Sequence, residues 1–222
     1  MRTVVKLGGA IAHGSVEYPL SLIAQGHEVC IVHGAGPQIS LEMARRGIEV
    51  VFVHGRRVTT PEVLEVVREA LVRVNAELVH AIGEKAVGMI GSEIGLEAEQ
   101  VLELGLVGNP VPSELPVLVG ALEAGKVPIV APLARGPLNV NADEAAAMVA
   151  VGIGADRVHF VTDVPGLLGG GGEIVGSIHA GEAEHLLSSG ELQGGIIPKL
   201  AAAVHAARKG VVAEIGETAV IA

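Results

Sequence analysis

The sequence has no tryptophan, one tyrosine and two phenylalanines, so it lacks the aromatic platforms on which single-stranded nucleic acids stack. Positive charge is scarce as well. Lys and Arg number 15 against 25 Asp and Glu, a formal net charge of −10, which provides no basic footprint for DNA or RNA. The one cysteine, Cys30, excludes an internal disulfide framework and a cysteine-based zinc cluster. It lies in the apolar run 28–32, reads as a buried strand thiol and fits a reducing, cytoplasmic setting. No apolar run reaches the roughly 20 residues of a transmembrane helix: the richest segment, 142–155, holds Asp143 and Glu144 and is broken by Gly152 and Gly154. The chain opens Met1-Arg2-Thr3 and runs straight into Val4-Val5-Lys6, so no secretory signal is expected and no membrane partner.

What remains is 222 residues, 50% of them hydrophobic. That length builds a large core without staples, and here the core must come from Val, Leu, Ile and Ala. One domain is the default, with two small lobes as the variant. The 31 glycines punctuate the chain, many of them just after short β-branched runs. Strands are expected at 3–7, 29–32, 50–53, 127–131, 158–162 and 211–215. A helix is expected after Pro37, and others over 61–82, 113–124, 142–153 and 198–209. Thr60 suits an N-cap and Pro61 the first helical position. This alternation predicts an α/β domain with a mainly parallel sheet, whose ligands bind beyond the carboxyl ends of the strands. The glycine-rich run 167–173 reads as a flexible loop and as a boundary between lobes.

Gly120 to Lys126 imitates a phosphate-binding P-loop. Val127 stands where a Ser or Thr would hold Mg²⁺, and the glycine ends a helix instead of opening one, so the match is rejected.

Four loops carry the functional signal. Lys6-Leu7-Gly8-Gly9 places an ammonium and bare backbone N–H groups at a strand end, which suits an anion or, more plainly, a tight turn. His33-Gly34-Ala35-Gly36-Pro37 brings small residues to a helix N-terminus, where anions are favoured; His33 itself reads as structural. Asn139-Val140-Asn141-Ala142-Asp143 alternates amides and a carboxylate at a helix start. Gly194-Gly195-Ile196-Ile197-Pro198-Lys199 puts a lysine in a first helical turn against the macrodipole, a conflict an anionic ligand would resolve.

In chain order these loops, with Gly55-Arg56-Arg57-Val58-Thr59 and Thr162-Asp163-Val164-Pro165-Gly166-Leu167, resemble the amino acid kinase family from residue 3 to about residue 212. Ala35 stands where the family usually has a third glycine. Residues 89–93 differ from its glycine-rich turn, and 94–104 is shorter than its usual hairpin. The resemblance implies a three-layer αβα sandwich, with residues up to about 134 binding the amino-acid substrate and 135–222 binding ATP. It implies phosphorylation of the side-chain carboxylate of N-acetyl-L-glutamate by ATP, with Mg²⁺ on the ATP phosphates and no metal site of the protein's own. Lys6 and Lys199 would flank the phosphoryl group, with Asp143 orienting them. Gly8, Gly9 and Gly36 would donate to phosphates. Gly34, Ala35, Arg57 and Asn139 would bind the acylated amino acid. Asp163, Gly166, Leu168, Gly194 and Gly195 would receive the nucleotide. A carrier-linked aminoadipate or glutamate, or a non-catalytic regulatory role, are the alternatives. A homodimer closed through an apolar helix face such as 61–82 is expected. With only two residues before the first strand, little inhibition by arginine is expected.

Overall fold

The computed structural model describes residues 1–9, 16–162, 164–192 and 194–222. The first half runs β1 (Arg2–Leu7), α1 (Glu17–Ala24), β2 (Glu28–His33), α2 (Gly36–Arg45), β3 (Phe52–Val53), β4 (Arg56–Arg57), α3 (Pro61–Ile82), β5 (Ala86–Ile90), a single turn α4 (Gly91–Ile94), β6 (Ala98–Gln100) and β7 (Val107–Pro110). The second half runs α5 (Pro116–Glu123), β8 (Val127–Ala131), β9 (Leu133–Ala134), β10 (Leu138–Val140), α6 (Ala142–Gly152), β11 (Arg157–Phe160), β12 (Ser177–His179), α7 (Ala180–Ser189), α8 (Ile196–Ala207), β13 (Val212–Ile215) and β14 (Thr218–Ile221).

Eight strands form one sheet in the order β12-β14-β13-β11-β1-β2-β8-β5. All neighbours pair in parallel except β13 with β14, so the mainly parallel sheet stands. Successive residues of the central strands feed opposite faces, as a strand's period of two requires. Val4, Cys30, Val32 and Val130 pack with α5, α6, α7 and α8. Val5, Val29, Ile31 and Ile129 pack with α1, α2 and α3. Helices therefore cover both faces, which gives the three layers. Cys30 is a free, fully buried thiol whose pKa burial pushes up to about 12.

The long helix α3 runs over the expected residues, with the Thr60 hydroxyl accepting from the Val63 N–H at 3.2 Å. Its apolar stripe, including Val66, Val67, Leu71 and Val74, is buried within the chain. That stripe is therefore not free to close a dimer; outward lie Glu62, Glu65, Arg68, Glu69, Arg73 and Glu77, with Val72 exposed among them. The rejected P-loop match lies where its context put it, with Gly125 at φ +71 between α5 and β8.

The run 50–53, expected as a strand, contributes only Phe52 and Val53. They pair antiparallel with Arg57 and Arg56 in a separate hairpin. A four-stranded sheet β6-β7-β10-β9 and the elements α1, β5, α7, β12 and β14 also went unread. Most are too short or too polar to show a period. The run 167–173 lies between β11 and β12, two strands of the same sheet, and closes on itself through a bridge from Leu168 to Ile174.

Candidate active site

Lys6 sits one residue from the carboxyl end of β1, in register with Val32 on one side and Phe160 on the other. Its ammonium lies 2.9 Å from Asp143 Oδ1. Asp143 is in the first turn of α6, where Asn141 is the N-cap and accepts from the Asp143 and Glu144 N–H groups at 2.8 and 3.3 Å. The capping duty thus falls to Asn141, and the Asp143 carboxylate is left to face the lysines. Lys199, in the first turn of α8, places Nζ 3.3 Å from each oxygen of the same carboxylate. Asp143 therefore supplies part of what the sequence conflict at Lys199 called for. Two ammonium groups share one carboxylate, so the cluster keeps one excess positive charge. Burial holds the Lys6 pKa below the ordinary value; Asp143 works against that shift and Lys199 adds to it.

A cavity of about 280 Å³ opens beside Lys6 and Asp143, with Gly9, Gly34, Ala35, Gly36, Arg57 and Asn139 among its walls. Two of its walls come from the ends of β1 and β2, where a parallel sheet places ligands. Gly9 fits because a Cβ there would stand 2.8 Å from the Gly36 nitrogen and 2.9 Å from Ala35 Cα. The Ala35 methyl belongs to the buried cluster on the α2 and α3 side, so the departure from a third glycine is absorbed by packing. Arg57 is buried. Its Nη2 lies 2.8 Å from Ser40 Oγ and 3.3 Å from the Gly36 carbonyl, and its guanidinium stacks 4.6 Å from the Phe52 ring centroid. Burial lowers its pKa. Asn139 Nδ2 donates to Thr59 Oγ1 at 3.1 Å, and that hydroxyl donates to the Arg57 carbonyl at 2.8 Å.

His33 lies behind this wall. Asn75 Nδ2 donates to its Nε2 at 3.1 Å and to the Ile129 carbonyl at 2.8 Å. This assigns the ring proton to Nδ1, 3.3 Å from the Gly34 carbonyl. Burial pushes the His33 pKa down to about 4, so the ring is neutral and structural, as its sequence context suggested.

A second cavity, about 660 Å³, has Lys199 in its wall. Gly166, Leu167, Leu168, Gly195 and Ile196 line it. The Thr218 hydroxyl accepts from the Leu167 N–H at 2.8 Å, and a Cβ on Gly166 would stand 2.7 Å from that hydroxyl oxygen. Gly194 takes φ +70 just before α8. Asp163 lies outside the described residues. Gly8 and Gly194 are not among the residues lining either cavity.

Sequence reading missed the partners of Arg57. Gly36, Ser40 and Met43 are spaced i, i+4, i+7 on α2 and present one face to the guanidinium; that spacing was the available signal. The contact of Arg56 with Glu144, 2.6 Å apart, had no local signal at all. Among the described residues, no group of three or more His, Cys, Asp and Glu side chains is placed to hold a metal ion, and no helix is long and apolar enough to cross a membrane.

The family model of the amino acid kinase family matches residues 1–216. An acetylglutamate kinase from Rubrobacter xylanophilus is 42% identical over 97% of this chain and 88% of its own length. One from Gluconobacter oxydans is 35% identical over 96% of this chain and 82% of its own length. Among solved structures, smu.665 from Streptococcus mutans superposes with a TM-score of 0.85 at 25% identity, covering 99% of this chain and 98% of that one.

Proposed function

The chain belongs to the amino acid kinase family, and on that premise we propose that it transfers the γ-phosphoryl group of ATP to the side-chain carboxylate of N-acetyl-L-glutamate, a step of arginine biosynthesis. The observation that carries this reading is the placement of the two lysines. Both bind Asp143, yet Lys6 lines the smaller cavity and Lys199 the larger. One carboxylate thus joins two pockets across a pair of cations.

The chemistry suits the residues. A carboxylate with a pKa near ~4.3 is ionised at neutral pH and needs no general base. Its oxygen bonds to the γ-phosphorus as the bond to the ADP oxygen breaks; ADP leaves with the electron pair and no proton moves. The barrier is repulsion between two anions, so catalysis rests on position and charge. Lys6 and Lys199 neutralise the transferring group, and Asp143 holds them against mutual repulsion. Arg57 takes a second carboxylate of the substrate through its paired N–H groups. Asn139, Gly34 and Ala35 contact the acylated amino-acid end, and the N–H groups of Gly8, Gly9 and Gly36 serve the phosphates. The larger cavity, apolar along Leu167, Leu168 and Ile196 and bordered by Gly166 and Gly195, takes the base and ribose. Mg²⁺ travels on the ATP phosphates and supplies further charge neutralisation there.

Val72 of α3 and Met89 and Ile90 of the edge strand β5 line one shallow groove. The two-fold dimer we propose closes there and not on the stripe of α3; sedimentation tests it.

ADP release with N-acetylglutamate, with glutamate and with neither tests the reaction, with acyl phosphate trapped as its hydroxamate. Product with N-acetylglutamate alone supports it. Activity only with a carrier-linked substrate, or none with any acceptor, overturns it in favour of the alternatives.

A further inference from the structure

Adjacent residues of β4 point to opposite sides. Arg57 goes inward to Ser40 and Met43 of α2. Arg56 reaches the other way. One of its terminal nitrogens lies 2.6 Å from Glu144 Oε1 on α6, and the other donates to Asn109 Oδ1 on β7. The hairpin that carries both arginines is slight. Each strand has two residues, the turn is His54 at φ 48 followed by Gly55 at φ 77, and Phe52 and Val53 are 54% and 37% exposed. An isolated hairpin of this kind is marginal in water, so its position depends on what it is tied to. It nevertheless walls the smaller cavity through Phe52, Gly55, Arg56 and Arg57.

Glu144 follows Asp143 directly in the first turn of α6. Its pair with Arg56 is about one-quarter exposed on each side, and its other carboxylate oxygen is buried without a hydrogen-bond partner among the described atoms. The pair therefore ties the wall that carries Arg57 to the helix turn that carries Asp143.

We propose that Arg56 and Glu144 form a latch that holds the β3–β4 hairpin against α6, and that both are positioning residues for the acylated amino acid. The kinetic part of this proposal rests on the function given above; the closure of the hairpin does not. Arg56 and Glu144 act through Arg57, whose guanidinium reaches the pocket only when the hairpin is seated. An unlatched hairpin lowers the fraction of binding-competent molecules, and the apparent affinity falls by that fraction.

Glu144→Gln, Arg56→Met and the double variant test it, with Arg56→Lys as the conservative change. Hydrogen exchange without substrate reads the latch directly through the Val58 N–H, which donates to the Val51 carbonyl at 3.0 Å. Each single variant is expected to speed that exchange by about fivefold, the scale of a partly exposed ion pair, while α3 amides stay unchanged. The KM for N-acetylglutamate is expected to rise by about the same factor, with kcat and the KM for ATP within about twofold. Arg56→Lys recovers part of the loss, and the double variant is no worse than Arg56→Met, because Glu144 has no latch contact left to lose once Arg56 is gone. Unchanged hairpin exchange in both single variants, additive losses, or an equal rise in both KM values overturns the latch. Faster hairpin exchange in the variants, when the parent itself forms no acyl phosphate, supports the latch and removes the kinase reading alone.

Discussion

Lys6 and Asp143 are paired at 2.9 Å with each side chain only 8% exposed, and the pair joins the end of the central strand to the start of α6. An ammonium so placed is worth more to an approaching anion than one in water, because little solvent screens it.

Lys6→Ala and Lys199→Ala should each lower kcat by about 10²-fold or more with the fold intact, since each removes a charge from the phosphoryl path. Steady-state kinetics with circular dichroism as the folding control reads both. A variant that keeps near-normal kcat sinks the role given to that lysine.

Asp143→Asn should lower kcat by about tenfold or more and move the two KM values little, because the amide no longer holds two ammonium groups together. The shape of the pH–rate profile is the discriminating measurement. Loss of an acidic limb in the variant would mark Asp143 as a general base and displace the positioning role. In the parent, kcat should fall on the alkaline side below pH 10.5, because the Lys6 pKa is held below that value.

Arg57→Lys should raise the KM for N-acetylglutamate by roughly tenfold and leave that for ATP alone. A lysine cannot both fork onto a carboxylate and stack on Phe52. Isothermal titration of each substrate in the absence of the other separates the two sites. Equal weakening of both would place Arg57 elsewhere in the mechanism.

Gly9→Ala should destabilise the protein by about 1–3 kcal/mol, because the new methyl meets backbone atoms that cannot swing away. At Gly34 the nearest neighbour of a new Cβ is the Ala142 methyl at 3.6 Å, an ordinary contact. Gly34→Ala should therefore fold normally. Urea unfolding of the two variants side by side is the check, and equal losses would contradict the packing argument.

His33 binds its proton far less readily when folded, with a pKa of about 4 against the ordinary 6.5. The unfolded chain then holds the extra proton between those values, so stability is fully present above pH 6.5 and declines as pH falls toward 4. The loss attributable to this group is about 3 kcal/mol at most. Urea midpoints at pH 7 and pH 4.5 should differ by less in His33→Gln than in the parent. An unchanged difference would assign the acid sensitivity to other groups.

The sequence by itself determined the parts whose cause is local. Thr60-Pro61 and a 3.6-residue apolar period specify α3, because cap, first turn and stripe all lie within the segment. The apolar runs at 127–131 and 28–32 make central strands, since a strand buried on both faces has no polar side to hide. The glycine loops were legible for the same reason: close backbone approach admits no side chain, as Gly9 shows against Ala35 and Gly36. The pairing of Arg56 with Glu144 was decided only in three dimensions, because the two lie far apart in the chain and neither carries a local mark of its partner. The stacking of Phe52 on Arg57 follows from their pairing across one short hairpin. At Lys199 the first-turn conflict was legible in the sequence, and the tertiary structure supplied Asp143 as its anion. The apolar run 50–53 shows the limit most plainly. Its pattern suits a strand, but the central sheet takes β8 beside β2 instead, and Phe52 is left to build the pocket wall.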